Sequence, residues 1–409
     1  MKKFFQFTIL LLFLVTSQHT KAQSTLSDDA EISLMTTGPW PGAVYAVYGH
    51  SALYVEDDAL GIDVVFNYGF FDMSQPFFMY DFIRGKTDYV LGVQSFDDFV
   101  NSYGYKGVEV TKQLLNLSQS EKQSLWEALY INHLPENREY RYNYFYDNCV
   151  TRPRDLIERY STSEIIYPND TKEQTYRDLI HECVNEFPWM KFGIDLIIGS
   201  EADTPITLRQ KMFLPAYLMR ALDESTFVTQ TDSITYEIPV VKVKETITKG
   251  ITNTQNNTEW SLSHPNTIAF AILLLSIFIS YIQINRKKTH WIFRSFDAIL
   301  FTIVGVGGLI IFFLMFFSEH PATSYNWNFA WMNILPLIFA PMFWIKPLNR
   351  AVIIYHFINF VLLSLFLFFW WLVPQQLPLA TIPLAITLWL RSGSHLWEWI
   401  SDRRTTIDQ

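Results

Sequence analysis

Long uncharged apolar stretches lie near the two ends of the chain, and the part between them alternates short apolar runs with polar residues. After residue 265, five stretches each approach the roughly 20 residues that a membrane-spanning helix needs. They are Thr267–Ile284, Ala298–Phe317, Phe329–Ile345, Ala351–Val373 and Pro374–Leu390. The third and fifth are short and contain prolines. We expect an all-α polytopic membrane domain of about five transmembrane helices over residues 266–391, followed by a cytoplasmic tail, residues 392–409.

A shorter apolar run, Phe4–Val15, follows two lysines at the N-terminus. The small residues Thr20 and Ala22 then stand at the positions that a signal peptidase prefers. This pattern predicts a cleaved secretory signal peptide, residues 1–22. An uncleaved signal anchor is the weaker interpretation, because the run is too short to span a bilayer.

Residues 23–239 carry the patterns of an α+β domain. Its first half contains short β-prone runs separated by turn residues, namely Glu31–Met35, Ala43–Tyr48, Ser51–Val55 and Asp63–Tyr68. Its second half is helical in pattern. Ser118 and Glu121 form a capping box before one helix, and further helices are predicted at 150–160, 172–185 and 204–223. Residues 240–265 read as a linker or an extended strand that leads into the first span.

Charge is distributed unevenly along the chain. Only 17% of residues are charged, against roughly 25% in an average soluble domain, which argues against a wholly soluble enzyme. The net charge of -9 argues against a nucleic-acid partner. Residues 23–265 hold 35 acidic and 19 basic residues, whereas residues 266–409 hold 5 acidic and 9 basic residues.

The basic residues of the apolar part follow the first, third and fifth predicted spans. The opposite connections, residues 318–328 and the turn near Gln375, contain none. Because basic loops stay in the cytoplasm, this distribution predicts that the N-terminal domain lies outside it.

Cys149 and His50 are the main candidates for chemistry, since the sequence contains no phosphate-binding glycine loop, HExxH motif or GxSxG motif. Cys149 lies where a β-like run, Tyr140–Tyr146, gives way to a helical pattern. A helix N-terminus and a protonated histidine would both favour the thiolate, which is the nucleophilic form. His50 lies beside Gly49 between apolar runs.

Both residues can also have purely structural roles. A histidine in a β-segment is more often a structural residue than a catalyst, and two cysteines in an exported chain can form a disulfide between Cys149 and Cys183. Cys183 lies within a helical pattern, unlike Cys149, so the environments of the two thiols differ.

Several segments resemble the Lnb family of bacterial lipoprotein N-acyltransferases, among them GHSALYV, VVFNYGFFD, FIRGKTDYVLG, NYFYDNCVTRPRDLI and MFLPAYL. The resemblance implies an outer domain related to permuted papain-like folds, such as lecithin:retinol acyltransferase and the NlpC-type hydrolases. It further implies that Cys149 is the nucleophile, His50 the general base and acid, and Asn67 the third polar group. Asp63 is the second choice for that third group.

The implied reaction transfers a fatty acyl chain from a membrane phospholipid, through a thioester on Cys149, to the N-terminal amine of a diacylated lipoprotein. It needs no metal and no cofactor, and it implies an enzyme of the bacterial inner membrane with a periplasmic domain. Two other functions stay open: a cysteine amidase or peptidase of the NlpC type that acts on the cell wall, and a non-enzymatic sensor or assembly factor with bridged cysteines.

Four further polar residues are expected to bind substrate. Asn148 and Arg152 flank the cysteine, and His320 and Asn328 lie in the loop between the second and third predicted spans. That loop faces the same side as the domain and could position a lipid head group or a peptide N-terminus. It could equally be a hydrated connection.

Overall fold

The computed structural model describes residues 24–231, 234–250, 262–286 and 291–407. The predicted signal peptide lies outside the described residues. The described part consists of an α+β domain followed by a helical membrane domain.

An antiparallel sheet of seven strands forms the centre of the N-terminal domain, in the order β10-β5-β1-β2-β3-β4-β6. Its strands are β1 (Glu31–Thr37), β2 (His50–Asp57), β3 (Ile62–Phe70), β4 (Asp88–Gln94), β5 (Val110–Leu115), β6 (Glu139–Arg141) and β10 (Val241–Thr248). Three of the predicted β-runs thus lie in β1, β2 and β3. The segment predicted as a linker or an extended strand supplies β10, which pairs with β5 at the edge of the sheet.

The helices of this domain are α1 (Phe78–Ile83), α2 (Phe96–Gly104), α3 (Gln119–His133), α4 (Thr151–Tyr160), α5 (Tyr176–Val184), α6 (Pro188–Ile197), α7 (Leu208–Lys211) and α8 (Pro215–Asp223). A second, three-stranded sheet contains β7 (Glu164–Ile166), β8 (Thr226–Thr231) and β9 (Ile234–Pro239). The capping box of Ser118 and Glu121 is present at the start of α3, as predicted.

Both faces of the central strands are buried, because helices cover each of them. On one face Leu34 and Leu53 pack with Leu129 of α3, in a core that α4 and α8 share. On the other face Met35 packs in a smaller core with Phe99 of α2. Alternate residues of one strand thus enter different cores, as the period of two requires.

The predicted strand at Ala43–Tyr48 is wrong. This segment is a tight loop with a short 3-10 helix, Val44–Ala46, closed by a hydrogen bond from the Trp40 N–H to the Ala46 carbonyl at 2.9 Å. Val44 and Tyr45 are exposed. β-branched and aromatic residues form strands where they pack against neighbouring strands of a sheet. Among the described residues, no strand pairs with this segment.

The membrane domain contains α9 (Pro265–Arg286), α10 (Trp291–Phe317), α11 (Leu335–Phe339), α12 (Asn349–Phe368) and α13 (Thr381–Ile407). Within the described residues, three segments are long and apolar enough to span a bilayer, namely Pro265–Asn285, Trp291–Phe317 and Lys346–Phe368. They correspond to the first, second and fourth predicted spans. The predicted count of five is therefore not confirmed.

The third predicted span is not one helix. It is divided into a 3-10 turn, the short helix α11 and a second 3-10 helix, Ala340–Trp344. Pro336 and Pro341 each lie at the start of one of these short helices, because proline lacks the N–H that a continuing helix needs. A Cβ atom on Gly308 of α10 would lie 2.2 Å from the Asn333 carbonyl oxygen, so this broken segment packs backbone to backbone against α10.

The fifth predicted span also differs from its prediction. The helix α13 begins only at Thr381 and continues through the predicted tail to Ile407. Arg391, the basic residue directly after the fifth predicted span, is fully buried within α13 and forms an ion pair with Asp297 of α10 at 2.7 Å. It also donates to Ser280 and Gln283 of α9. A buried guanidinium needs such partners, so Arg391 joins three helices of the bundle.

Candidate active site

His50 is the first residue of β2, and the glycine directly before it allows the chain to pass close to Thr37 of β1. Gly49 has a φ of +79°, and a Cβ atom there would lie 2.5 Å from the Thr37 carbonyl oxygen. In the sheet register His50 pairs with Thr37 of β1. The imidazole is therefore held at the end of a central strand by backbone that only glycine allows.

Cys149 lies two residues before α4, and Asn148 fixes the start of that helix. The Asn148 side-chain oxygen accepts hydrogen bonds from the N–H groups of Val150 and Thr151 at 2.8 and 2.9 Å. Its side-chain nitrogen donates to the carbonyls of Tyr144 and Phe213. Pro153 is the third residue of α4, in the first turn, where proline is tolerated.

Cys149, His50 and Asn67 meet between β2, β3 and the start of α4. The His50 Nε2–H donates to the Asn67 side-chain oxygen at 2.6 Å, which leaves Nδ1 for the hydrogen bond between His50 and the Cys149 sulfur. Asn67 is buried. The three side chains thus form a connected group of thiol, imidazole and amide, the arrangement that a nucleophile, its base and an orienting residue require.

The electrostatics of this group favour a thiolate–imidazolium pair. Burial by itself raises the pKa of the Cys149 thiol, but the His50 charge and N–H groups of Ser51 and Cys149 outweigh it and lower the pKa below its usual value. For His50, burial opposes protonation, and the Cys149 thiolate together with Asn67 raises the pKa above its usual value. The nucleophilic form of the cysteine is therefore favoured.

Gly69 of β3 lies against all three of these residues. A Cβ atom at this position would lie 3.0 Å from His50 Cε1, 3.7 Å from Cys149 Cβ and 3.8 Å from the Asn67 side-chain oxygen. Gly69 lies two residues after Asn67 in the chain, but no chemical pattern in the sequence marks it as a site residue. The absence of a side chain here leaves room for the imidazole.

Tyrosines surround the cysteine. The rings of His50 and Tyr103 lie stacked with their centroids 6.4 Å apart. Burial raises the pKa of Tyr89, Tyr140 and Tyr142, and the nearby Cys149 thiolate raises it further. These phenols are therefore neutral, and Cys149 packs with them against one core.

The other residues predicted for the site make hydrogen bonds and ion pairs elsewhere in the protein. Asp63 accepts a hydrogen bond from the Phe96 N–H, and Asn67, the first choice, is the residue that contacts His50. The four hydrogen bonds of the Asn148 side chain are all made within the protein, so its amide has no group left for a substrate. Arg152 forms a bidentate pair with Asp147.

The outer-loop residues contact the N-terminal domain. His320 donates from Nε2 to the Phe82 carbonyl at 2.6 Å, and burial lowers the pKa of its imidazole. Asn328 is fully buried and donates to the Asp195 carbonyl at 2.9 Å. In this structure both residues join the two domains, and neither contacts Cys149.

Cys149 and Cys183 are both free thiols. Cys183 belongs to α5 and packs against a separate core, where burial and Glu182 raise the pKa of its thiol to about 12. The disulfide interpretation of Cys149 therefore finds no support. Among the described residues, no cluster of histidine, cysteine and acidic side chains could hold a metal ion.

Comparison with known families agrees with this two-domain arrangement. Residues 17–182 match the family model of the Lnb N-terminal periplasmic domain, and residues 256–403 match that of the Lnb transmembrane domain. The chain belongs to the Lnb family. It is a membrane protein with an extracytoplasmic N-terminal domain. No curated protein and no solved structure matches the chain, so the papain-like relationship stays a prediction.

Family membership also orients the membrane domain. The loop 318–328 hydrogen-bonds to the N-terminal domain, and that domain is extracytoplasmic. The Phe317 end of α10 is therefore the extracytoplasmic end. This agrees with the absence of basic residues from that loop.

Proposed function

We propose that this Lnb-family protein is an acyltransferase of the bacterial inner membrane that N-acylates lipoproteins through a thioester on Cys149. The observation that carries the proposal is the connected group of Cys149, His50 and Asn67 in an extracytoplasmic domain fixed to a membrane domain. A thiolate beside an oriented imidazole is suited to acyl transfer. Attachment to the bilayer brings it to membrane-bound acyl donors.

In the first half-reaction the Cys149 thiolate attacks the carbonyl carbon of a phospholipid ester. The C–S bond forms, the ester C–O bond breaks, and His50 gives its proton to the leaving alkoxide, which departs as the lysolipid. The N–H groups of Ser51 and Cys149, which donate to the sulfur, are backbone donors suited to the oxyanion of the tetrahedral intermediate.

In the second half-reaction the N-terminal amine of a diacylated lipoprotein attacks the thioester carbonyl. The C–N bond forms, the C–S bond breaks, and His50 accepts the proton that the amine loses. The thiolate–imidazolium pair is thereby restored. No cofactor enters either half-reaction, since each consists only of acyl and proton transfer.

The decisive experiment incubates the purified full-length protein with a phospholipid that carries a labelled acyl chain, without an acceptor. Label should appear on Cys149 and be released by hydroxylamine, which cleaves thioesters far faster than amides. Addition of a diacylated model lipoprotein should then move the label to its N-terminus, as detected by mass spectrometry.

Cys149→Ser and His50→Ala should each abolish the labelling while leaving the protein in the membrane. Lipoprotein N-acylation without any label on wild-type Cys149 would contradict the covalent mechanism. Release of peptides from cell-wall material, with no transfer to the lipoprotein, would support an NlpC-type amidase instead.

A further inference from the structure

An exposed apolar segment joins the candidate active site to the membrane domain. It comprises residues 70–83, which we call the apolar arm, and it ends with helix α1. Its exposed large side chains are Phe70, Met73, Phe77, Met79, Tyr80, Phe82 and Ile83. Soluble surfaces rarely expose so many adjacent apolar side chains unless something covers them.

One end of the apolar arm lies at the catalytic group. The arm begins directly after Gly69, the residue that contacts His50 and lies beside Cys149. Phe71 packs against Tyr89 at 4.9 Å and against Tyr45 at 5.6 Å, measured between ring centroids. Aromatic packing therefore continues from the edge of the active site into the arm.

The other end lies at the extracytoplasmic end of a membrane-spanning helix. The Tyr80 ring is 6.4 Å from Phe313 of α10. Ser318, directly after α10, donates to the Ile83 carbonyl at 2.9 Å, and the Glu319 N–H donates to the Arg84 carbonyl at 2.8 Å. Since α10 ends at Phe317, these contacts place the arm at the depth of the bilayer surface.

Phe77 is the clearest sign that the arm has an apolar partner. It has a left-handed backbone, with a φ of +64°, and its side chain is 79% exposed. Left-handed backbone is unfavourable for a bulky residue, and exposure of the ring to water adds a further cost. The backbone conformation begins α1, where the Asp81 N–H donates to the Phe77 carbonyl at 3.0 Å, but it leaves the ring exposed, whereas insertion into lipid would bury the ring.

Basic residues follow the arm at the height expected for lipid head groups. The Arg84 guanidinium lies over the Tyr80 ring, 5.4 Å from its centroid, and Lys86 pairs with Glu319 at 2.9 Å. Aromatic and basic side chains together are typical of a membrane interface. This combination of apolar, aromatic and basic side chains fits the outer leaflet of the bilayer better than it fits an acidic or purely polar partner.

We propose that the apolar arm inserts into the outer leaflet of the bilayer and leads one acyl chain of a glycerolipid along its surface to Cys149. The proposal rests on the function proposed above, because it explains how an ester at the membrane surface reaches a thiolate in the extracytoplasmic domain. It also makes a prediction about membrane depth that does not depend on activity.

The depth is measured with a fluorophore on a single introduced cysteine. Phe77→Cys, in a Cys149→Ser and Cys183→Ala background, is labelled with an environment-sensitive NBD group and reconstituted in phospholipid nanodiscs. Tyr105→Cys is the matched control, since Tyr105 is 78% exposed and belongs to the loop after α2. Nitroxide groups on the lipid acyl chains should quench the fluorophore at 77 at least several-fold more than the one at 105.

Equal quenching at both positions, or free access of aqueous iodide to position 77, would overturn the proposal. Protection of position 77 only when a lipoprotein is added, with no quenching by lipid nitroxides, would also overturn it and assign the arm to a protein partner. Because this measurement uses Cys149→Ser, its result stands even if the proposed activity fails.

The functional test uses Phe77→Asp, since aspartate tolerates left-handed backbone. Thioester formation on Cys149 from bilayer phospholipid should slow at least 10-fold, whereas acylation by a water-soluble short-chain thioester should not change. Tyr105→Asp should leave both rates unchanged. Equal loss with both donors would contradict a role in lipid delivery, and failure of the wild-type protein with either donor would instead refute the proposed function.

Discussion

Substitution of Gly69 by alanine tests whether the space beside His50 is essential for catalysis. The added Cβ would lie 3.0 Å from His50 Cε1, closer than carbon atoms ordinarily approach. Because Gly69 belongs to a central strand between β2 and β4, the imidazole must move by a few tenths of an ångström. That shift changes its alignment both with Asn67, now at 2.6 Å, and with the Cys149 sulfur.

The expected loss in rate follows from the geometry. A positioned general base contributes about 10²–10⁴-fold to the rate, and a misplacement of about 1 Å can cost about 100-fold. A shift of a few tenths of an ångström should therefore lower kcat about 10-fold or more. The KM for the acyl donor should change little, because Gly69 lies beside the reacting groups.

Gly61→Ala is the matched control. Gly69 has a φ of +156° and Gly61 one of +63°, so alanine strains the backbone at both positions, but at Gly61 a Cβ atom would meet nothing within 4 Å. The Gly61→Ala variant therefore has the backbone strain of about 1–2 kcal/mol without a close contact of the new Cβ atom. The rate of thioester formation on Cys149 and the melting temperature are measured for both variants. A Gly69→Ala protein with wild-type kcat would refute the argument, as would an equal loss of kcat in Gly61→Ala.

Three other predictions follow from the charges and thiols. The alkylation rate of Cys149, measured against pH in a Cys183→Ala background, should stay high below the usual thiol range and fall only as the pH drops through the lowered pKa of Cys149. In His50→Ala the inflection should move to higher pH, since only the N–H groups of Ser51 and Cys149 then oppose the effect of burial, and an unchanged inflection would contradict the ion pair. Cys183→Ala should keep full activity and cost about 1–2 kcal/mol of stability in a thermal unfolding assay, whereas loss of activity would show that Cys183 takes part. Asp297→Ala should destabilise the membrane domain by about 3–5 kcal/mol, because Arg391 is left buried without its partner, and an unchanged melting temperature in detergent would show that the pair is dispensable.

Local patterns were sufficient for much of this protein. The capping box of Ser118 and Glu121 spans one turn of helix, and the period of two in β1 to β3 places alternate residues on opposite faces. Each depends on residues a few positions apart. The long apolar runs that became α9, α10 and α12 are similarly self-contained, since a spanning helix satisfies its own backbone hydrogen bonds. Cys149 and His50 were candidates from their residue types and positions, whereas Asn67 was implied only by the resemblance to the Lnb family.

The tertiary structure decided what depends on distant partners. The Asn148 side chain donates to the carbonyl of Phe213, and the side chains of His320 and Asn328 donate to carbonyls of the N-terminal domain. The polar character of such residues is visible in the sequence, but whether a substrate or a backbone group satisfies them depends on long-range packing. For the same reason Arg391, which resembles a cytoplasmic end residue by position, is a buried partner of Asp297. The role of Gly69 likewise becomes apparent only in the folded structure, where β3 lies beside His50. The absence of a side chain matters only because neighbouring groups need the space.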